Sequence, residues 1–82
     1  MPHYFFDSRD GDDLIRDDVG IDLPDLEAAR FEATRALAEI ASDVIPGSAG
    51  RSFSIEVRDQ QGHVLARTAI VFDSTVMTPP PG

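Results

Sequence analysis

The sequence predicts an α+β fold, a two-layer ββαββ sandwich with one helix on one face of a four-stranded, mainly antiparallel sheet. Three observations predict it: a helical apolar pattern over residues 25–45, a strictly alternating pattern over residues 52–59, and turn-forming residues between the remaining apolar runs. At 82 residues the chain has room for one domain. We place that domain at residues 1–73 and expect a disordered, proline-rich tail over residues 74–82.

The helical segment carries the strongest pattern in the chain. Steps of 100° per residue bring seven apolar side chains into one sector: Leu26, Ala29, Ala33, Ala36, Leu37, Ile40 and Val44. Asp25 is the predicted N-cap, because its carboxylate can accept hydrogen bonds from the free amides of the first turn. Pro46 and Gly47 end the helix, since proline cannot continue the hydrogen-bond ladder and glycine suits a left-handed exit.

Four segments are predicted as strands, at residues 3–8, 14–17, 52–59 and 63–72. Glycine and aspartate between the first two, and Gly62 between the last two, indicate two hairpin loops. The spatial order 2-1-3-4 is favoured because it makes every neighbouring pair antiparallel, and an order with one parallel pair stays open.

The second hairpin contains one awkward cross-strand pair. Its simplest register sets Ile55 opposite Arg67, which brings a charge to a core position. Arg67 could lie at a sheet edge with its head in water. The sequence favours the other solution, a β-bulge near Arg67 and Thr68 that turns Ile70 and Phe72 toward the core.

A two-layer sandwich leaves the second face of its sheet uncovered, and large apolar side chains are available for that face. The candidates are Tyr4, Val64, Ile70 and Phe72, joined by Phe31, which lies about 140° from the centre of the helical stripe. We therefore predict a non-enzymatic protein-interaction module that self-associates through the open sheet face.

Composition excludes several classes of function. The net charge of −8, from 15 acidic and 7 basic residues, repels DNA, RNA and anionic membranes. The chain has no cysteine and no long apolar run, and its first residues do not resemble a secretory signal, so we expect a cytoplasmic protein without a membrane span.

No catalytic, metal or cofactor site is predicted. The aspartates at positions 7, 10, 12, 13, 17 and 18 lack the spacing of a calcium loop and are interpreted as solvated turn residues. His3 and His63 are far apart in sequence and lack further ligands. Gly47-Ser48-Ala49-Gly50 neither follows a strand nor opens a helix, as a nucleophile elbow or a phosphate loop would require. A small enzyme is the least favoured class of function.

Three stretches resemble a known family: the aromatic first strand with Asp10 and Gly11, the entry into the helix over residues 20–29, and the hairpin over residues 59–65. With them the chain resembles a group of short, uncharacterised alphaproteobacterial proteins, common in rhizobial relatives, defined only as a domain of unknown function. The resemblance covers residues 1–72. It implies a small α+β fold and brings no activity, substrate or catalytic residue.

A more distant resemblance is to the HicB-type antitoxin domain. It rests on the aromatic run at residues 4–6, the proline-ended segment 22–24 and the alanine-rich helix that follows. The chain differs from that domain in carrying a whole hairpin after the helix. The alternative function is therefore an acidic inhibitor or antitoxin-like protein, whose early aspartates mimic phosphates and block a basic nucleic-acid-binding or nuclease surface.

Overall fold

Residues 1–78, which a computed structural model describes, form five strands and one helix. In chain order they are β1 (His3–Asp10), β2 (Asp13–Ile15), β3 (Ile21–Asp22), α1 (Leu26–Val44), β4 (Gly50–Arg58) and β5 (Val64–Asp73). The α+β fold, with a single helix packed on an antiparallel sheet, is confirmed.

The helix α1 begins at its predicted N-cap and ends before Pro46 as predicted, but Gly47 lacks the positive φ of the left-handed exit that the sequence predicted. Asp25 is the N-cap, and its carboxylate accepts a hydrogen bond from the amide of Ala28 at 2.9 Å. This bond satisfies one of the amides that the first turn leaves without an intrahelical partner. Ile45 is the C-cap, and its amide still donates to the carbonyl of Ala41 before Pro46 stops the helix.

The strands lie in the spatial order β2-β1-β4-β5, with every neighbouring pair antiparallel. This is the order that the sequence favoured. The additional strand is β3, which pairs Ile21 with Tyr4 and Asp22 with His3. The sequence predicted only an extended run there, because two residues cannot show an alternation. Within residues 1–78, β5 is an edge strand.

The turn between β4 and β5 has the predicted form. Gly62 adopts a φ of +90°, which only glycine enters at low cost. The amide of Asp59 donates to the carbonyl of His63 at 2.9 Å, and the Asp59 carboxylate accepts from the amides of Gln61 and His63. The side chain of Asp59 therefore organises the loop from inside.

The bulge in this hairpin lies closer to the turn than predicted. Val57 pairs with Ala66 whereas Arg58 pairs with Val64, so Leu65 is the extra residue. The prediction of a bulge at residues 67–68 is wrong. Periodicity shows that the register must shift, but only the pairing with β4, which sets Ala66 opposite Val57, shows where. From residue 66 to residue 72, the even-numbered positions of β5 face the helix.

The core lies between α1 and the sheet, centred on β4. Its buried apolar residues are Tyr4, Ala29, Ala33, Leu37, Ala41, Phe53, Ile55 and Val57. Leu26, Ala36, Ile40 and Val44 are partly buried and pack against this cluster. The helical stripe is thus confirmed, and its alanines let the helix lie close to the sheet.

Tyr4 belongs to this core, with 6% of its surface exposed. It shares the helix-facing side of β1 with Phe6, which pairs with Val57 of the central strand. The prediction that Tyr4 lies on the uncovered face is wrong. Alternation within one strand separates its two faces, but only pairing with β4 decides which face meets the helix.

The segment after β5 has no regular structure over residues 74–78, and its side chains, including Val76 and Met77, are exposed. The remainder of the predicted tail, residues 79–82, lies outside the described residues. In the part of the chain that the structure describes, no helix combines the length and the apolar character that crossing a bilayer requires.

Candidate interaction surface

The five residues predicted as an interaction surface do not share one face of the sheet. Tyr4 is buried, whereas Ile70 and Phe72 lie half-buried on the helix-facing side of β5. Val64 is exposed beside the bulge, and Phe31 projects from α1 with 72% of its surface exposed. Three of the five thus lie on β5, and Phe31 lies above it across a groove.

The centre of the sheet face turned away from α1 is polar, whereas the sequence predicted an apolar surface there. It carries Asp7, Arg9, Ser54, Glu56 and Arg58, which come from β1 and β4. Arg9 lies 3.7 Å from the Glu56 carboxylate, measured from Nε to Oε1. Charged side chains that pair with each other can face water, so this face does not require a second layer. The reason for which the sequence predicted docking there is therefore removed.

The outer edge of β5 has no partner strand among the described residues. The amide of Ser74 donates to the carbonyl of Ala49 at 2.8 Å, so Ser74 directs its amide toward the β4 side of the strand. Because successive residues of a strand direct their amides and carbonyls to opposite edges, Arg67, Ala69, Val71 and Asp73 direct theirs away from β4. A row of unsatisfied donors and acceptors of this kind is a template for another strand.

Between Arg67 and Asp73, the side chains along this edge do little to block an approaching strand. Ala69 is small, Val71 is apolar and 80% exposed, and no proline interrupts β5. Edge strands that avoid pairing commonly carry inward-pointing charges, proline or a bulge along their length. The bulge of β5 lies at its first residues, so the stretch from Ala66 to Asp73 is regular.

A groove runs between α1 and the first half of β5. Phe31, Thr34, Ala66, Arg67 and Thr68 are among its walls, and it encloses about 240 Å³. Ligand pockets for drug-sized molecules usually enclose about 300–1,000 Å³ and are largely closed to water. The groove is better suited to receiving one side chain than a small-molecule substrate.

Asp7 and Arg58 form a charged cluster on the sheet face turned away from α1. The guanidinium of Arg58 donates to both oxygens of Asp7, from Nε at 2.9 Å and from Nη2 at 3.2 Å, and the same Nη2 donates to the carbonyl of Asp17 at 3.0 Å. Arg58 also stacks over Phe5, with 4.6 Å from its central carbon to the ring centre. The Arg58 guanidinium holds the pKa of Asp7 below its usual range, against the opposing effect of burial.

The Asp17 carboxylate stabilises the segment between β2 and β3, residues 16–20, which we call the β2–β3 break. One oxygen accepts from the amides of Val19 and Gly20, and the other accepts from the amide of Phe6 at 3.1 Å. Burial raises the pKa of Asp17, but these three amides together outweigh it, and the pKa lies below its usual range. Gly20 has a φ of +71°, and an added Cβ would lie 2.7 Å from the carbonyl oxygen of Tyr4.

His3 stabilises the other end of the β2–β3 break through contacts of its two ring nitrogens. Its Nδ1 lies 2.5 Å from the Asp22 carboxylate, and its Nε2 lies 2.8 Å from the carbonyl oxygen of Val19. Both ring nitrogens therefore face acceptors, an arrangement that only the protonated ring satisfies fully. The bond to Asp22, and next the bond to Val19, raise the pKa of His3 above its ordinary value.

We expect the raised pKa of His3 to depend on Asp22. The Asp22→Asn variant should lower it toward the ordinary value near 6.5, whereas Asp18→Asn should change it less, because Asp18 makes no bond to the ring. An NMR titration of the imidazole protons measures both values. Since the folded-state pKa is raised, His3 stabilises the fold below pH about 6.5, and this contribution is lost as the pH rises through the raised value. Equal titration curves in both variants would contradict the assignment.

Three of the early aspartates do not stand free in solvent, contrary to the sequence interpretation. Asp7 and Asp17 hold the cluster just described, and Asp10 pairs with Arg51, whose Nη2 lies 2.7 Å from its carboxylate. Sequence reasoning missed these pairs because their members are far apart in the chain. Strand pairing would have predicted the Asp7–Arg58 contact, since Phe5 pairs with Arg58 and Asp7 is the next residue on the same face.

The described residues contain no group of three or more side chains that could hold a metal ion. Every buried side-chain nitrogen and oxygen among residues 1–78 has a hydrogen-bond partner. The buried polar side chains of this part of the chain are therefore satisfied within the fold, and we take the sheet edge with its adjoining groove as the candidate site.

Comparison with known proteins agrees with one of the two resemblances. A family model described as Domain of unknown function (DUF6894) matches residues 3–71. No curated protein and no solved structure matches the chain. The family match confirms a domain of unknown function, while an alphaproteobacterial origin and a relation to HicB-type antitoxins stay predictions.

Proposed function

The chain belongs to the DUF6894 family, a domain of unknown function, and for it we propose the role of a non-enzymatic protein-interaction module that self-associates along the edge of β5. The observation that carries the proposal is the regular free edge from Ala66 to Asp73. Addition of a strand to such an edge uses backbone hydrogen bonds for affinity and the alternating side chains for specificity.

Charge favours a second copy on this edge despite the acidity of the whole chain. At −8 two copies repel each other over long distances. The strand β5 itself carries one arginine, Arg67, and one aspartate, Asp73, so two β5 edges meet without a net charge. Salt screens the general repulsion and leaves backbone hydrogen bonds almost unchanged, so association should strengthen as salt is added.

The acidic-inhibitor alternative is supported less well by the geometry. Asp7, Asp10 and Asp17 already bind arginines or backbone amides, so they are not free to mimic phosphates. Asp12, Asp13 and Asp18 remain for that purpose, and they lie in or beside loops.

The lack of cysteine suits a reducing compartment, and we propose the cytoplasm as the place of action.

The proposal is tested by removing one free-edge amide. The amide of Ala69 points away from β4, so Ala69→Pro should remove a bond to a second copy without breaking the bonds to β4. The matched control is Ala69→Val, which keeps that amide and suits a strand. The measurement is the mass by light scattering across a wide range of protein concentration, with circular dichroism to check the fold.

The parent and Ala69→Val should approach twice the monomer mass of 8.9 kDa as concentration rises, whereas folded Ala69→Pro should remain at the monomer mass. A parent that stays monomeric at every concentration overturns the proposal. A folded Ala69→Pro variant with the mass of the parent overturns the assignment of the interface to β5.

A further inference from the structure

We infer that the two copies pair antiparallel along β5 in a register centred on Ile70, with Phe72 of each copy entering the α1–β5 groove of the other. The inference rests on the proposed self-association and adds the register of the two β5 strands and the place that Phe72 occupies. It follows from three observations: the direction of the edge amides, the placement of Arg67 and Asp73, and the position of the groove.

The direction of the amides limits the possible registers. In an antiparallel pair, residues that exchange hydrogen bonds must both direct their amides and carbonyls toward the shared edge. On β5 these are the odd-numbered residues Arg67, Ala69, Val71 and Asp73. Odd-numbered residues of one copy therefore pair with odd-numbered residues of the other, and registers that pair odd with even positions are excluded.

Of the remaining registers, only the one centred on Ile70 sets Arg67 opposite Asp73. Centring the pair on Arg67 or on Asp73 sets like charges directly opposite each other, which is destabilising. Centring it on Ile70 sets Arg67 opposite Asp73 of the second copy, and symmetry makes this ion pair twice. Among the described residues, neither Arg67 nor Asp73 has an ion-pair partner within its own copy. In the same register Ala69 pairs with Val71, which joins two apolar side chains on the polar face.

The groove is correctly placed for the same register. The even-numbered positions face the helices, so Thr68 of one copy lies opposite Phe72 of the other, and Ile70 lies opposite itself. Thr68 is a wall of the groove, together with Ala66 and Phe31. Phe72 of the second copy is therefore directed toward this opening, where Phe31, exposed in the single chain, can cover its ring.

Disulfide trapping measures the register directly, because the chain has no cysteine of its own. In the inferred register the two copies of residue 70 form a non-hydrogen-bonded pair, with Cα atoms about 4.5 Å apart, within the range that a disulfide spans. Ile70→Cys should therefore form a covalent dimer under mild oxidation, read on a non-reducing gel.

Thr68→Cys and Phe72→Cys are the matched controls, on the same face of the same strand. Each lies four positions from its own copy along the partner strand, roughly 13 Å at about 3.3 Å per residue, so neither should cross-link alone. An equal mixture of the two variants should form the mixed covalent dimer, because residue 68 of one copy faces residue 72 of the other. This mixture also tests the register if Ile70→Cys fails to fold.

The outcomes separate the two proposals. Dimer mass with cross-links at Ile70→Cys and in the mixture supports both. Dimer mass with cross-links in Thr68→Cys or Phe72→Cys alone shows a different register, so the inference fails while the proposed function stands. A monomeric parent that gives no cross-link in any variant overturns both.

Discussion

Replacing Leu37 with alanine is expected to lower the free energy of unfolding by about 2–5 kcal/mol. Leu37 is 2% exposed and lies at the centre of the helical stripe, where it packs into the core cluster with Phe53, Ile55 and Val57. Its neighbours on the stripe, Ala33 among them, are too small to fill the space that the substitution leaves. The loss is a large part of the roughly 5–15 kcal/mol that stabilises a typical domain.

Urea unfolding followed by circular dichroism measures this effect. The matched control is Leu14→Ala, the same chemical change at a residue that is 46% exposed on β2, and it should shift the free energy by only about 0.5 kcal/mol. If the curve of Leu37→Ala overlays that of the parent, the assignment of the stripe to the core is wrong.

Replacing Asp7 with alanine is expected to cost about 1–3 kcal/mol, the second largest effect, because it removes the acceptor of a part-buried amide and of a charged donor. The Asp7 carboxylate accepts from the amide of Asp17 at 3.0 Å and from two nitrogens of Arg58. The substitution leaves these donors next to the alanine methyl group, beside the β2–β3 break. Asp12→Ala, at an exposed loop position, is the matched control and should be nearly neutral.

The pH dependence of stability gives this second prediction an independent readout. The folded-state pKa of Asp7 is lowered, so its contribution is complete above the ordinary value near pH 4 and is lost as the pH falls through the lowered value. The parent should therefore lose more stability than Asp7→Ala between about pH 4 and pH 2. Parallel curves for the two proteins over that interval would show that Asp7 does not stabilise the fold through its charge.

Local patterns predicted the elements of this fold well, because each pattern reports on a few consecutive residues. The stripe from Leu26 to Val44 predicted α1 and its buried face, and Asp25 predicted its N-cap. The alternation of Phe53, Ile55 and Val57 predicted β4 as a half-buried strand, which became the centre of the core. Even the strand order followed from a simple preference for antiparallel neighbours.

Features that depend on pairing between distant segments were predicted poorly. Tyr4 was placed on the wrong face, and the bulge was placed at residues 67–68 although Leu65 is the extra residue. The Asp7–Arg58 pair was missed, since 51 positions separate its members. In each case a side chain's neighbour is set by the register between two strands, which the sequence of either strand alone leaves open.

The candidate site shows the same division. The sequence selected Phe31, Val64, Ile70 and Phe72 as apolar residues available for association, and it named a self-associating module. The tertiary structure decided that β5 is an edge strand, that its odd-numbered positions direct their amides outward, and that a groove lies beside Thr68.

By itself the sequence determined what every segment except β3 becomes, because helix and strand periods, caps and turn glycines act within a few residues of one another. Only the tertiary structure decided which face is buried, which carboxylates are bound and which edge remains open. Those properties arise when segments far apart in the chain meet, and hydrogen-bond register and close packing then fix the outcome.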